Sequence, residues 1–274
     1  MPVTGRVPAS TCLNERETAY AHHLRQRVYR WLAWLVLAIT PAPLLAGDVP
    51  GWHQVFAEDF STDVPLGGFP GPAYQNKWVG YPDGGRDTSG NGTYFPSRVL
   101  SVGHGALNIF LHTENGIHLV AAPIPRLPTA RQGQRYGRYV VRFRADPVPG
   151  YKLAWLLWPD SNHWPADGEI DFPEGNLNRT IGAFVHYANP NGGQTEFKTT
   201  VPEAGGWHIA ATEWLPGKVT FSLDGHLIGI ATTQVPTQPM HWVLQTETEL
   251  VGGPPSDRAA GNVQVDWVRI YARY

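Results

Sequence analysis

The segment from residue 164 to 175, WPADGEIDFPEG, constrains the fold more than any other part of the chain. Acidic residues are depleted in strands, yet Glu169, Asp171 and Glu174 are interleaved here with apolar residues. Side chains two apart on a strand share a face, so Glu169 and Asp171 point the same way and Glu174 would point the opposite way. One extra residue in a β-bulge returns Glu174 to their face, and a proline is tolerated there because it has no N–H to donate. The segment therefore predicts a strand bulged at Phe172–Pro173, with three carboxylates on one surface.

The rest of the chain is typical of strands joined by turns. Gly (30) and Pro (25) are abundant, and only 16% of the 274 residues are charged. Residues 138–145 alternate between two faces, residues 218–230 carry Asp224–Gly225 between two apolar runs as a hairpin does, and residues 263–271 are rich in β-branched and aromatic residues. This spacing predicts one domain, residues 51–274, that folds as an all-β sandwich or barrel.

Charge and aromatic content narrow the class of partner. The formal net charge is −2, and the sequence lacks the stripe of basic residues that would indicate a nucleic-acid partner. The sequence shows no Cys/His cluster of the kind that holds a catalytic metal. Eleven tryptophans are many for this length, and a flat apolar ring with one N–H suits stacking on sugars. These features favour a polysaccharide substrate, bound by a monomer without a required cofactor.

The first 46 residues have the pattern of a targeting segment. Arginines precede nine consecutive apolar residues, Trp31–Ile39, which fit the hydrophobic region of a signal peptide and are few for a membrane span. We expect cleavage near Ala46 or Gly47 and a secreted mature domain that acts away from the membrane. An uncleaved N-terminal membrane anchor is the alternative. The single cysteine, Cys12, lies in this segment, so the mature domain is expected to have no disulfide.

Two carboxylates on either side of a glycosidic bond are the usual means of cleaving it. One protonates the leaving oxygen, and the other attacks the sugar carbon or activates water. Glu169 and Glu174 on one bulged strand would lie near the shorter separation, about 5–5.5 Å, that direct attack needs, so we expect retention of configuration. The charge of Asp171 between them should raise the pKa of a neighbouring glutamate and so keep one of them protonated as the general acid near neutral pH. A calcium site is the other interpretation of the trio, but calcium takes six to eight oxygens, usually from loops.

The acidic motif resembles the E-x-D-x-x-E signature of glycoside hydrolase family 16, in the bulged form of laminarinase-like enzymes. Three further motifs resemble that family in the same order along the chain, and Trp164-Pro165 precedes the acids as in those enzymes. The three motifs are VFAEDF (55–60), HIAATEWLPGKVTFSLDG (208–225) and VDWVRIY (265–271).

The resemblance implies a fold and a set of roles. The implied fold is a jelly-roll sandwich of two curved antiparallel sheets, concanavalin A-like, with the cleft across the concave sheet. In the family the first glutamate is the nucleophile, the aspartate assists and the last glutamate is the acid/base. These roles carry over to Glu169, Asp171 and Glu174. The chain departs from the laminarinase pattern at Phe172 and Pro173, where those enzymes usually have Ile-Met.

Several further residues are candidates for contact with the substrate. Trp164 is expected to stack on a sugar next to the cleaved bond. Trp155 and Trp158 lie three apart, so they should face opposite sides of one strand; the family pattern favours Trp155 for the cleft and leaves Trp158 as the alternative. Arg98 stands where the family often has asparagine, and Gln245, or an acid near it, stands where the family has a second asparagine. The remaining candidates are His186 and Tyr94.

Some members of the family carry a structural calcium ion on the convex side. An acid of the opening strand and the aspartate of the closing strand contribute to it. Glu58 or Asp59, together with Asp266, occupy those positions here, so the resemblance makes these three residues candidate calcium ligands. The other interpretation is that they are ordinary surface acids.

The sequence as a whole predicts a secreted, retaining endo-glycosidase. Its expected substrate is a β-linked polysaccharide, a β-1,3- or β-1,3-1,4-glucan, cleaved by double displacement. One alternative is a transglycosylase, in which a sugar replaces water as the acceptor. The other is a lectin-like module that binds carbohydrate without cleaving it, although binding alone does not need three clustered carboxylates.

Overall fold

A computed structural model of the chain describes residues 47–128 and 133–274. The predicted signal segment, residues 1–46, and its cleavage site lie outside these residues. Among the helices of the described part, none has the length and apolar character needed to span a bilayer.

The described residues form strands connected by loops, with two helices of four residues each. The helices are α1 (Gly71–Tyr74) and α2 (Pro96–Val99). The strands are β1 (Trp52–Glu58), β2 (Trp78–Gly80), β3 (Gly92–Tyr94), β4 (Leu100–Gly103), β5 (Ala106–Glu114), β6 (Ile117–Val120), β7 (Pro123–Pro125), β8 (Gly137–Ala145), β9 (Tyr151–Pro159), β10 (Glu169–Asn176), β11 (Thr180–His186), β12 (Gln194–Pro202), β13 (His208–Leu215), β14 (Lys218–Leu223), β15 (His226–Ala231), β16 (Met240–Thr248) and β17 (Gly261–Arg273).

Two large sheets make up the fold. The ten-stranded sheet runs in the order β15-β14-β13-β8-β17-β5-β6-β3, with β1 paired to β17 and β4 to β5. The five-stranded sheet runs β12-β11-β10-β9-β16, and its centre carries the acidic strand. Strand pairs are antiparallel except β3 with β6. The all-β jelly-roll class predicted from the sequence is confirmed.

The core lies between the two sheets, where aromatic side chains of one sheet contact those of the other. Phe143 on β8 meets Trp155 on β9 with ring centroids 5.0 Å apart. Phe172 on β10 meets Phe221 on β14 at 5.3 Å. Such pairs bury large apolar areas and add about 0.5–1.5 kcal/mol each beyond the area term. They fix which face of β9 and β10 is turned away from solvent.

The predicted strand patterns are present in the ten-stranded sheet. In β8 the alternate residues that include Tyr139 and Phe143 are buried, as the alternation of residues 138–145 requires. Asp224 and Gly225 connect β14 to β15 with φ of 51° and 80°. Positive φ at both positions is what a two-residue hairpin turn needs, and it explains why glycine follows aspartate there.

Phe172 offers a test of how the core holds the acidic strand. It is buried in the core, so Phe172→Ala should lower the free energy of unfolding by about 3–5 kcal/mol. Leu227→Ala on β15 is the control, because Leu227 is 62% exposed and its truncation should change stability by about 0.5 kcal/mol at most. Urea unfolding of both variants measures the difference, and equal losses would contradict the packing described.

Candidate active site

A β-bulge in β10 brings the three acids to one face. Asp171 pairs with Phe184 of β11, and Glu174 pairs with Gly182, so three steps along β10 match two along β11. The same shift occurs against β9. The extra residue falls at Phe172–Pro173, where the sequence predicts it. Glu174 therefore lies on the same side of the sheet as Asp171.

The two faces of β10 have opposite characters. Ile170 and Phe172 are buried in the core, whereas Glu169, Asp171 and Glu174 line a cleft of about 420 Å³ on the outer face of the five-stranded sheet. Aromatic, polar and apolar side chains from neighbouring strands and loops complete its walls. They include Trp164, Phe184, His186, Gln194, Gln245, Glu247, Lys152 and Leu156.

Burial controls the protonation of the first two acids. Burial, together with the charge of Asp171, raises the pKa of Glu169 to about 10. Burial also raises the pKa of Asp171, and the negative charge of Glu174 adds to that effect. At neutral pH this pair therefore retains a proton. The acid whose pKa is raised by Asp171 is thus Glu169, the residue that the family pattern makes the nucleophile.

His186 lies beside the pair. It stands opposite Glu169 in the register of β10 and β11, and its Nε2 atom is 3.1 Å from Oδ2 of Asp171. Glu169, Asp171 and His186 also form the one group of described residues whose donor atoms come close enough, within 4.8 Å, to hold a metal ion. The same closeness places an imidazole nitrogen within hydrogen-bonding distance of the buried pair.

Glu174 has a different partner, which the sequence analysis missed. Nζ of Lys152 donates a hydrogen bond of 2.6 Å to Oε1 of Glu174. Burial lowers the pKa of Lys152, but the nearby carboxylates of Glu174 and Glu247 outweigh it and raise the pKa above its ordinary value. The ammonium therefore stays charged. The sequence contains a signal for this residue, because Lys152 interrupts the apolar run YKLAWLLW.

Glu247, two residues after Gln245 on β16, connects the cleft floor to the loop between β2 and β3. Its Oε1 atom accepts hydrogen bonds from the Thr88 backbone N–H (3.0 Å), the Thr88 hydroxyl (2.5 Å) and the Tyr94 hydroxyl (3.0 Å). Asp87 in the same loop accepts from the backbone N–H of Thr248 at 2.8 Å. Burial and the charge of Glu247 raise the pKa of Tyr94, which stays protonated and able to donate. Side chains of β16 thus hold this loop as one wall of the cleft.

Aromatic residues line the part of the cleft next to Glu169. Trp164 is 48% exposed, and its ring stacks on that of Trp158 with centroids 6.5 Å apart and planes inclined by 12°. Trp164 also contacts His186 edge-on at 6.2 Å. Gln245 and Tyr94 line a second cavity of about 440 Å³, which adjoins the first and shares Trp164, Glu169 and Gln245 with it. The structure therefore brings the predicted ligand residues Trp164, His186, Tyr94 and Gln245 together around Glu169.

The prediction that Trp155 lines the cleft is wrong. Trp155 is fully buried against Phe143 in the core, whereas Trp158, three residues along β9, lines the cleft. The expectation that the two tryptophans face opposite sides is confirmed, but the sides are exchanged. The reason is the register of β9 against β10, which puts Ala154 beside Glu174 and so places even-numbered residues of β9 on the cleft face.

Arg98 does not reach the cleft either. It lies on α2, where the adjacent Val99 is buried and Arg98 points out of the core. Its guanidinium pairs with Glu114 at 3.3 Å beside a separate small groove. The arginine that lines the cleft is Arg86, next to Trp158 and Glu169. Arg98 lies in a short helix, so the two-residue alternation of a strand does not apply to it. No local pattern in the sequence indicates that helix.

The candidate calcium ligands are each paired with a basic side chain. Glu58 and Asp59 lie at the end of β1, and Asp266 lies in β17. Oε1 of Glu58 also accepts from the backbone N–H of Asp59 at 3.1 Å. Calcium needs six to eight oxygen ligands. Each of these three carboxylates instead contacts a positively charged lysine or arginine side chain, which is not the environment of a calcium ligand. Calcium at these residues stays an untested expectation. The basic partners of Glu58, Asp59 and Asp266 are Lys77, Arg269 and Arg142, respectively.

Solved structures share this architecture. The laminarinase from Rhodothermus marinus superposes with a TM-score of 0.65 at 25% identity, covering 81% of this chain and 98% of that one. LamA from Z. galactanivorans, crystallised with laminaritriose and laminaritetraose, gives 0.65 at 22% identity, covering 80% and 98%. The chain therefore has the same fold as these two proteins.

Sequence comparison defines the family. The family model described as glycosyl hydrolases family 16 matches residues 115–269, more than half of the chain, and the chain belongs to this family. The endo-1,3-1,4-beta-glycanase EglC of Rhizobium meliloti is 24% identical over 257 residues, which cover 83% of this chain and 53% of that protein. The chain matches two such relatives over most of its own length, but it spans only about half of the length of each.

The exchanged tryptophans give one prediction. Trp155→Ala should lower the free energy of unfolding by about 3–5 kcal/mol, because it empties a core position. Trp158→Ala should instead raise KM for an oligosaccharide about fivefold, the loss of a stacking contact of about 1 kcal/mol. Steady-state kinetics and urea unfolding on both variants measure this. A larger KM effect for Trp155→Ala than for Trp158→Ala would reverse the assignment.

A buried acid behind the site gives another prediction. Glu203 is fully buried, and neither of its carboxyl oxygens has a hydrogen-bond partner among the described residues. Burial, with the charge of Glu174, raises its pKa from 4.5 to about 8. The folded state therefore keeps a proton that the unfolded state releases, so stability falls as pH rises from about 4.5 to 8.

Glu203→Gln removes this penalty. Its melting temperature should exceed that of the wild type by a margin that grows between pH 5 and pH 8 and then levels off, since each unit of raised pKa corresponds to roughly 1.4 kcal/mol. Thermal unfolding followed by circular dichroism measures the margin. Glu196→Gln at an exposed position of β12 is the matched control, and its margin should be small at every pH because exposed ion pairs contribute little to stability. A flat margin for Glu203→Gln would contradict the buried acid.

Proposed function

We propose that this chain is a retaining endo-glycosidase that hydrolyses a β-linked glucan. The observation that carries the proposal is the bulge in β10, because it places Glu174 on the face that carries Glu169 and Asp171. An unbulged strand would point Glu174 into the core. The family assignment supports the class of reaction, and the printed names of the relatives, laminarinase and endo-1,3-1,4-beta-glycanase, support a β-1,3- or β-1,3-1,4-glucan as the substrate.

The proposed reaction has two steps. In the first, a carboxylate oxygen of Glu169 forms a bond to the sugar carbon while the bond from that carbon to the glycosidic oxygen breaks, and Glu174 gives its proton to the leaving oxygen. In the second, Glu174 takes a proton from water, the water oxygen bonds to the sugar carbon and the bond to Glu169 breaks. Glu169 attacks one face of the sugar carbon and water attacks the opposite face. Two inversions give net retention of configuration.

The buried pair determines which form of Glu169 reacts. Glu169 must attack as a carboxylate, yet burial and Asp171 keep a proton on the pair at neutral pH. The proton is therefore held by Asp171 during attack, where it can be donated to Glu169 in a hydrogen bond that orients the nucleophile. This use of Asp171 matches the assisting role that the family pattern gives it.

The cleft also suggests how sugar rings are held. Trp164 and Trp158 present apolar faces beside Glu169, and Arg86, Gln245 and Tyr94 supply donors next to them. Sugar rings offer both apolar faces and hydroxyls, and these residues are complementary to both. We propose that this part of the cleft binds the chain of sugars on one side of the cleaved bond.

We also propose that the domain acts as a secreted monomer. The apolar run Trp31–Ile39 supports export through residues 1–46. The N-terminal sequence of protein recovered from the medium tests the cleavage near Ala46, and light scattering tests the oligomeric state. An intact N-terminus on recovered membranes would favour the anchor instead.

Substitution of the two glutamates tests the roles. On laminarin and on mixed-linkage glucan, Glu169→Gln should remove nearly all hydrolysis, and Glu174→Gln should lose about 10²–10⁴-fold. A β-glucan oligosaccharide with a dinitrophenyl leaving group needs no proton to depart, so on it azide should accelerate Glu174→Gln and give a β-glycosyl azide.

The matched control is Glu213→Gln on β13, a carboxylate of the other sheet, which should keep the wild-type rate. Substantial glucan hydrolysis by Glu169→Gln would overturn the assignment of the nucleophile. Products longer than the starting oligosaccharide would indicate transglycosylation, and saturable binding of glucan without any cleavage by the wild type would indicate a binding module.

A further inference from the structure

Lys152 stands at an unusual place for a lysine, in the floor of the cleft. It lies on β9, the strand between β10 and β16, and its register partners are Asn176 on one side and Glu247 on the other. Only 5% of its surface is exposed. An ammonium at such a site is costly unless its charge is compensated, so its partners decide why it is there.

Carboxylates surround this ammonium. Glu174 accepts its hydrogen bond at 2.6 Å through Oε1. Glu247 from β16 and Asp171 from β10 also raise the pKa of Lys152 against the effect of burial. Glu203, behind the sheet, interacts with the ammonium more weakly. A lysine enclosed in this way has no free charge to offer an anionic group of a substrate.

The hydrogen bond uses one oxygen of Glu174 and leaves the other available. With Oε1 bound to Lys152, the carboxyl group cannot rotate freely, and Oε2 is the oxygen left to face a bound sugar. Proton donation in a glycosidase depends on presenting one oxygen to the glycosidic bond at hydrogen-bonding distance. A carboxyl group held in one orientation therefore spends more of its time in the geometry that proton transfer needs.

We propose that Lys152 is a positioning residue for Glu174, holding Oε1 so that Oε2 exchanges the proton and compensating the charge that Glu174 acquires. This rests on the proposed function, in which Glu174 is the acid/base. In the first step the proton leaves Oε2 for the glycosidic oxygen, and the new negative charge forms beside the ammonium. In the second step a proton of water returns to Oε2. Lys152 keeps its own protons throughout. Its fixed charge favours the first step, in which protonated Glu174 becomes a carboxylate, and opposes the uptake of a proton by Glu174 in the second step.

Two substrates distinguish this role from a structural one. Laminarin needs a proton on its leaving oxygen, whereas an oligosaccharide with a dinitrophenyl group does not. Lys152→Met keeps the length of the side chain and removes its charge. It should lower kcat on laminarin about 10- to 100-fold, part of the 10²–10⁴-fold typical of general acid–base catalysis, and leave KM unchanged within about threefold. The pre-steady-state burst on the dinitrophenyl substrate should keep its wild-type rate.

Two further variants complete the test. Lys152→Arg keeps the charge and should recover most of the laminarin activity. Lys152→Met in a Glu174→Gln background should cause no further loss, because the residue through which it acts is already changed. If Lys152→Met does not fold, as judged by its thermal transition, Lys152→Met/Glu247→Gln removes both charges of the cross-strand pair and takes its place in the same assays.

The results separate this inference from the proposed function. Equal losses on both substrates, or a full additional loss in the Glu174→Gln background, would overturn the role of Lys152. Failure of azide to accelerate Glu174→Gln on the dinitrophenyl substrate would instead overturn the role of Glu174. Azide rescue of Glu174→Gln together with a normal Lys152→Met enzyme would leave the proposed function intact and reject only the positioning role.

Discussion

The register of β10 against its two neighbours is the constraint on which the rest of the site depends. Aromatic packing of Phe172 against Phe221 fixes one face of the strand in the core. The extra residue at Phe172–Pro173 then determines that Glu174 joins Glu169 and Asp171 rather than entering that core. Core packing and site geometry are therefore set by the same few residues, and the site is as rigid as the sandwich beneath it.

Placing several carboxylates in a buried floor creates an electrostatic problem, and the site solves it in two ways. Near Glu169 and Asp171 the solution is a retained proton, since burial raises the pKa of both groups. Near Glu174 the solution is a fixed positive charge on Lys152. A retained proton on one side and a permanent positive charge on the other give different surroundings to two glutamates that are otherwise alike, as their proposed roles require.

The acidic trio and the bulge could be predicted from the sequence because alternation along a strand is a local property. The same property shows that Trp155 and Trp158 face opposite sides, but it does not show which side is the core; the pairing of β9 with distant strands decides that. Lys152 and Glu247 illustrate the limit further. They are neighbours across β9 and β16, far apart in the chain, and their meeting depends on a register that no local pattern contains.

Glu247 serves two parts of the cleft at once, because one of its oxygens binds Thr88 and Tyr94 while its charge acts on Lys152. A substitution at this position would alter the width of the cleft and the charge around Glu174 together. Adaptation to a bulkier substrate by changing Glu247 alone would therefore also disturb the pairing of Glu174 with Lys152. New substrate preferences would arise more readily at the exposed rim of the cleft, for example at Arg86, which takes no part in the interaction of Glu247 with Lys152.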